Sequence, residues 1–590
     1  MDDKRNLIAA ILLSVAILLG WNFVADKVFP TPAEPPAKSE GTKAAAPAAT
    51  EGQPGVLPAP AVPAAATVRP LAAALADGHR IPIITPAIQG SINLVGARID
   101  DVTLSKYRET IKKDSPPVRL FAPGGTKAAY FAGVAWSGTG VAVPDAATTW
   151  TADGARLTPD SPVTLTWANT TGQTFRIVYS IDRNYLITAK QSVTNAGPAP
   201  VVVASGAYIA RLGKPIHPED QGSATIHVGP MGAFNGAAKY DVSYANLEGQ
   251  ESGFFSRMFG NSAKAGINEF ASTGGWVGFT DKYWLAAVAP MPKDRIEAQM
   301  RMDDGLFKTN FIRPPVHIAA GATGTSSSYV FAGAKETSLL SEYQDKYQIT
   351  HLNRAIDWGW FEFFEKPIFR LLDWLFRLVG NFGVAIMILT LIIRAAMFPI
   401  AQRQFQSMAQ MRVVQPKMKA LQERLKDDKP KMQQELMKLY KDEKINPLAG
   451  CLPILIQIPI FYALYKVLML TIEMRHQPFA LWIKDLSAPD PAHILNLFGL
   501  LPFTPPSLLA IGPLALVLGV TMFLQFRLNP APADPVQEQV FKIMPWLFMF
   551  IMAPFAAGLL LYWITNNILS IGQQQWMYRK YPALKTAVAK

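Results

Sequence analysis

Residues 382–400 read FGVAIMILTLIIRAAMFPI, an apolar stretch broken by one charge, Arg394, with a hydroxyl, Thr390, one turn before it. Its length matches the ~20 residues a helix needs to cross a ~30 Å hydrocarbon core. Similar runs recur on either side, at Leu7–Ala25, Pro447–Leu470, Leu508–Leu528, Phe541–Pro554 and Phe555–Gln573. Together they predict an α-helical polytopic membrane bundle of six transmembrane helices, the last two forming a tight hairpin around Pro554. Composition agrees. Of 590 residues 50% are hydrophobic and 17% charged, against about 25% charged in an average soluble domain, which argues against a fully soluble protein.

The charges orient the bundle. The net charge of +12 fits either a nucleic-acid footprint or the lysine and arginine bias of cytoplasmic loops, and position separates the two. The segment between the second and third runs carries eleven basic residues, from Arg403 to Lys444, whereas the loop from Thr471 to Ser507 carries Arg475 and Lys484 alone. Most of the excess therefore reports membrane orientation, with both termini cytoplasmic and no call for DNA. Lys4 and Arg5 precede the first run. That run reads as an uncleaved anchor, because it exceeds a signal peptide's ~7–15 apolar residues and Phe23-Val24-Ala25 lacks the small residue expected before a cut. A single cysteine, Cys451, excludes an intrachain disulfide framework, a cysteine-rich zinc site and a dithiol motif.

The expected division is an anchor at 1–29, a Pro/Ala-rich linker at 30–75, a large all-β extracytoplasmic domain at 76–337, an amphipathic interfacial region at 338–380, a core of five membrane helices at 381–580, and a short basic tail at 581–590. The linker cannot bury a core. The β reading rests on period-two alternation, as in Phe175–Ile181, where every second residue is a large apolar one and a turn at Asp182-Arg183-Asn184 leads to the partner strand from Tyr185. In the interfacial region Arg370, Asp373 and Arg377 form one narrow polar stripe on an aromatic-rich helix, and Pro367 is expected in its first turn.

Arg394 is the residue most expected to carry function. Charges inside the bilayer are costly and usually face a protein interior or a watery cavity; snorkelling to the headgroups is the plainer alternative. Asp and Glu are absent from Pro447–Leu470 and Phe541–Gln573, so the expected surroundings are polar rather than an ion pair. Candidate lining residues of a substrate groove are Thr390, Gln457, Gln525, Thr565 and Asn566, each of which alone is also ordinary helix-to-helix glue. Segment 402–446 reads as a cytoplasmic helical hairpin for recruitment, with Met408, Met411, Met418 and Met432 as adaptable apolar contacts and Arg424 and Lys426 among its charges. Packing of one arm on the other explains the same methionines. No P-loop, H-E-x-x-H or G-x-S-x-G motif is present, so no enzyme activity, catalytic residue, metal or cofactor is expected.

Four segments resemble one family: LTLIIRAAMFPIAQRQFQSMAQMRVVQPKMKALQERLKDDK, EKINPLAGCLPILIQIPIFYALYKVL, PFALWIKDLSAPDP and GLLLYWITNNILSIGQQQWMYRK. They are similar to the YidC membrane protein insertases and their mitochondrial Oxa-type relatives. The anchor, linker and β domain look like the Gram-negative bacterial form, which implies a periplasmic β-supersandwich of the sugar-mutarotase type and a place in the bacterial inner membrane. The resemblance further implies a hydrophilic groove closed toward the outside, with the family's arginine at Arg394, its neighbouring threonine at Thr390, and substrate-contacting aromatics at Tyr562 and Trp563. Tyrosine is usual at the second of these, so Trp563 departs from the pattern. Implied partners are nascent membrane proteins, the phospholipid bilayer, the Sec translocon and, transiently, the ribosome. The competing classes are a solute transporter or channel with a carbohydrate-binding-like outer domain, and a membrane-anchored carbohydrate enzyme. The first calls for internal repeats and the second for a cluster of acidic residues and histidines on the β domain; neither feature stands out.

Overall fold

The computed structural model describes residues 68–580 apart from 78, 216–225, 252–262, 426–427, 443–451, 502, 504, 507–508 and 529–534. The first predicted span, most of the linker, Lys426 and the basic tail lie outside the described residues.

From Arg80 to Ala334 the chain forms a β-sandwich of a ten-stranded and a nine-stranded sheet. The first runs from Arg80–Ile84 at one edge, through Tyr130–Thr139 and Val201–Leu212, to Asn268–Thr273 at the other. The second has Trp284–Pro290, Thr323–Ala334 and Leu186–Asn195 at its centre. The strand pairs along both paths are antiparallel. The alternation read at Phe175–Ile181 is real: strand Gln173–Ile181 buries every second residue, and Phe175 sits opposite Val193 in the hairpin with Leu186–Asn195. Central strands such as Trp276–Thr280 and Trp284–Pro290 are buried on both faces and do not alternate, as expected where both sides of a sheet are covered.

Helix α1, Thr337–Tyr347, leaves the last strand. Two short 3-10 turns then lead to α2, Glu362–Val379. Pro367 is not in the first turn of α2, as the sequence suggests, but inside it. Its missing N–H leaves the carbonyl of Phe363 without an intrahelical partner, on a side where Phe363 itself is exposed. The helix buries Glu365, Phe369, Leu372 and Leu375, and turns Phe363, Phe364, Trp374 and Leu378 outward.

The bundle follows. Helix α3 spans Phe382–Arg424 without a break, so the first span of the core and the first hairpin arm are one 43-residue helix. Asn381 caps it by accepting from the Val384 amide at 3.1 Å, while its Nδ2 donates to the Phe479 carbonyl at 2.9 Å. A Cβ on Gly383 would lie 2.0 Å from the Phe479 ring, so only glycine admits that packing. Helix α4, Lys429–Asp442, returns along α3; Asp428 caps it through the Lys431 amide at 3.1 Å. Helices α5, Leu452–Leu470, α6, Pro513–Leu528, α7, Pro535–Met552, and α8, Ala557–Lys580, complete the bundle. The turn between α7 and α8 is held by the loop before α6, with the amides of Ala557 and Gly558 donating to the carbonyls of Ala488 (2.8 Å) and Leu486 (2.9 Å). Phe382–Arg403 is long and apolar enough to cross a bilayer unaided, and Gln457–Leu470, Pro513–Leu528 and Gln539–Met552 are shorter apolar helical segments.

One continuous core joins sandwich and bundle, from Tyr185 and Phe279 through Tyr343 and Trp358 to Leu372, Leu389, Leu464 and Leu560. Polar clamps reinforce it. Arg475, in the loop after α5, donates to the carbonyls of Arg108 (2.7 Å) and Glu109 (3.2 Å) at the end of a sandwich strand. Glu473 accepts from the Thr337 amide at 3.0 Å, and Tyr240 donates to the Arg354 carbonyl at 2.7 Å.

Candidate functional site

Along the inner face of α3 the residues Ile386, Leu389 and Thr390 are buried against the bundle, and Arg394 follows one turn on. The Thr390 hydroxyl donates to its own helix, to the Ile386 carbonyl at 2.7 Å, and is thereby satisfied. Arg394 is half-buried, and its Nε donates to the side-chain oxygen of Asn566 on α8 at 2.6 Å. Among the described residues no carboxylate forms an ion pair with it.

Asn566 belongs to a stripe on α8. Tyr562, Asn566, Ser570 and Gln574 recur every four residues, so they share one face, and all are buried. Ser570 donates to the Asn566 carbonyl at 2.6 Å, and Tyr562 accepts from Gln457 on α5. The stripe thus links α3, α5 and α8. Two other candidates sit differently. Thr565 donates to the Leu561 carbonyl of its own helix at 2.8 Å, while Gln525 lies half-buried on α6. Asn567, beside them, bridges to the Thr521 hydroxyl of α6 at 3.2 Å. Trp563 wedges between Phe461 of α5 and Phe548 of α7, with ring centres 4.7 and 4.6 Å away.

In the hairpin, Val414 and Met418 are buried against Leu436, Leu439 and Tyr440, so Met418 serves arm-to-arm packing. Met432 is half-buried and Arg424 exposed; Met408 and Met411 lie on α3. Ser570 and Gln574 are polar groups missed in the sequence, although their four-residue spacing from Asn566 was available to find them. A second buried charge was also missed: Lys466, inside α5, donates to the Asp357 carbonyl at 3.0 Å, close to the buried Glu365 of α2. Burial pushes the Glu365 carboxyl up to about 8, against the opposing pull of Lys466.

Residues 374–585 match the family described as 60Kd inner membrane protein, and residues 80–371 match the YidC periplasmic domain. A relative from Zymomonas mobilis subsp. mobilis, a membrane protein insertase YidC, is 45% identical over 586 residues, covering 98% of this chain and 96% of its own. The chain belongs to the YidC family. Relatives from Methylorubrum extorquens and Rhizobium meliloti are each 43% identical, covering 98% and 97% of this chain, and 96% and 95% of theirs. A crystal structure of an active YidC insertase shares 19% identity at a TM-score of 0.34, covering 84% of this chain and 92% of that one. A galactose mutarotase related enzyme from Lactobacillus acidophilus covers 43% of this chain and 97% of its own, with 11% identity and a TM-score of 0.29. YidC proteins are inner-membrane insertases with a periplasmic domain, which corresponds here to the β-sandwich.

Proposed function

We propose that this chain moves nascent membrane proteins from the cytoplasm into the inner membrane through a hydrophilic groove, without nucleotide hydrolysis, acting alone or beside the Sec translocon. The observation that carries the reading is Arg394, a guanidinium within an apolar helix whose Nε is held by the neutral Asn566 rather than by a carboxylate. A carboxylate partner would cancel the field; an amide positions the cation and leaves its charge free to attract an acidic flank. Moving that flank across hydrocarbon is the difficult step for an inserting protein. In this mechanism the α3–α4 hairpin receives the nascent segment, with the ribosome transiently near its basic residues. Arg394 then draws the flank inward along the polar face shared by Gln457, Tyr562 and Asn566. The apolar helix slides past Trp563 into lipid, where its own burial supplies the driving force. Six spans, cytoplasmic termini and a periplasmic sandwich complete the proposed topology, with Thr390, Gln525 and Thr565 along the groove.

The test is depletion of the protein with complementation by Arg394→Ala, following the insertion of single-span and double-span clients by protease accessibility. Depletion is expected to leave clients uninserted. Normal insertion of every client on depletion overturns the insertase reading, and full rescue by Arg394→Ala overturns the role given to the arginine.

A further inference from the structure

The loop between α5 and α6 carries a surface that the groove mechanism does not use. From Pro491 to Phe526 there is no Asp, Glu, Lys or Arg. Leu497, Phe498, Leu500, Leu501 and Phe503 are all exposed, Leu500 to 82% and Phe498 to 59%. Contiguous apolar exposure of this kind marks an interaction surface.

The described residues of the loop are held by a network of hydrogen bonds. Asp490 roots it, its Oδ1 accepting from the Trp482 indole (3.0 Å) and the Ala492 amide (3.1 Å), and its Oδ2 from the Leu514 amide at the start of α6 (3.0 Å). A Cβ on Gly512 would fall 2.5 Å from that carboxyl carbon, so glycine is required there. Above this root the backbone closes on itself: Ile494 donates to Ile511 (3.0 Å), Phe498 to His493 (2.7 Å), Leu501 to Asn496 (3.0 Å) and Phe503 to Leu501 (2.9 Å). Leu497 and Phe498 hold left-handed φ values of 51° and 60°, a conformation that large side chains adopt only at some energetic expense.

We infer that this loop is an apolar cap seated in the lipid of the extracytoplasmic leaflet, at the junction of acyl chains and headgroups. The inference rests on the proposed topology. Lipid is favoured over a protein partner by the continuity of the loop with α6 and by the length of that helix. Sixteen residues at about 1.5 Å each reach about 24 Å, short of the ~30 Å hydrocarbon core. With Arg527 anchored at the cytoplasmic headgroups, the outer end of α6 stops inside the apolar layer, and the loop must supply the missing depth. Among the described residues its amides bond largely within the loop, which suits the junction of acyl chains and headgroups, since unpaired amides are not tolerated deeper in lipid. Trp482, part-exposed with its indole nitrogen on Asp490, sits as interfacial tryptophans do.

The test uses the full chain in a Cys451→Ser background, with an environment-sensitive NBD probe on Leu500→Cys, reconstituted in phosphatidylethanolamine and phosphatidylglycerol vesicles. A probe on Phe503→Cys reads the same surface should the first variant fold poorly, and one on the exposed Ile111→Cys of the sandwich serves as the aqueous reference. The cap predicts blue-shifted emission, stronger quenching by lipid carrying doxyl at carbon 5 than at carbon 12, and several-fold less quenching by iodide than at Ile111→Cys. Water-like emission with iodide quenching equal to the reference overturns it, as does shielding that arises only when another membrane protein is added. Labelling of intact spheroplasts with an impermeant maleimide checks orientation separately: Ile111→Cys should react and Arg424→Cys should not. The reverse pattern overturns the topology whatever the vesicle probe reads.

Discussion

Arg394 on the first helix of the bundle core and Asn566 on the last are joined by one hydrogen bond of 2.6 Å, donated by the guanidinium Nε. Replacing the acceptor by an isosteric apolar side chain, Asn566→Leu, leaves that N–H unmet in a part-buried site. Hydrogen bonds to charged groups contribute ~1.5–3 kcal/mol. Insertion of an acidic-flanked single-span client, followed by protease protection in inverted vesicles, is expected to slow several-fold, and less than with Arg394→Ala. Unchanged kinetics would mean that Asn566 does not position the charge.

Gln457 and Tyr562 pair across α5 and α8. Residues that share one bond are not additive, so Gln457→Leu and Tyr562→Phe together should destabilise the detergent-solubilised protein by about 1 kcal/mol less than the sum of the single changes. A double-mutant cycle of unfolding measures this, and strict additivity would show the bond to be dispensable.

Arg475 fastens the sandwich to the bundle through the carbonyls of Arg108 and Glu109. Arg475→Met keeps the side-chain length and removes both donors. Hydrogen exchange should accelerate at the end of strand Arg98–Arg108 and in residues 471–476, with the sandwich interior unaffected. Protection indistinguishable from wild type would show that the docking does not depend on Arg475.

Glu365 makes stability depend on pH with a defined sign. Its carboxyl is raised by burial from an ordinary value of 4.5 to about 8. Between those values the folded chain holds a proton that the unfolded chain has released, so stability falls as pH rises through that window. Glu365→Gln, neutral throughout, should melt above wild type at pH 8.5 and close to it at pH 4.5. Equal melting temperatures at pH 8.5 would contradict a buried, raised carboxyl.

Much of this architecture is visible in local pattern. The apolar run around Arg394 and the alternation of Phe175–Ile181 depend on near neighbours, and both elements appear where the pattern places them. What depends on distant partners is not visible. Nothing in residues 402–424 says that the span continues into the hairpin as one helix, because an amphipathic arm and an apolar span look like separate elements by composition. Lys466 hides for a related reason: its partner is a backbone carbonyl, that of Asp357, more than a hundred positions away. Of the proposed groove residues, Arg394 stands out as a charge among apolar neighbours. Asn566, Ser570 and Gln574 acquire meaning only once α8 is laid against α3 and α5. The span read from Leu508 begins as a helix only at Pro513, where the Leu514 amide is tied back to Asp490, a partner more than twenty positions away.

The unbroken course of α3 has a mechanical consequence. Forty-three residues make a rod about 65 Å long, so a push on its Met418 end is felt at Arg394 without passing through any loop. Pro399 lies between those two points and has no N–H to offer the Ala395 carbonyl, one residue past Arg394. Pro416 removes a second bond, that to the Arg412 carbonyl, so the rod has two compliant joints, one just beyond its charge and one near Met418, and a load on the hairpin would flex the shaft at these points rather than along its whole length.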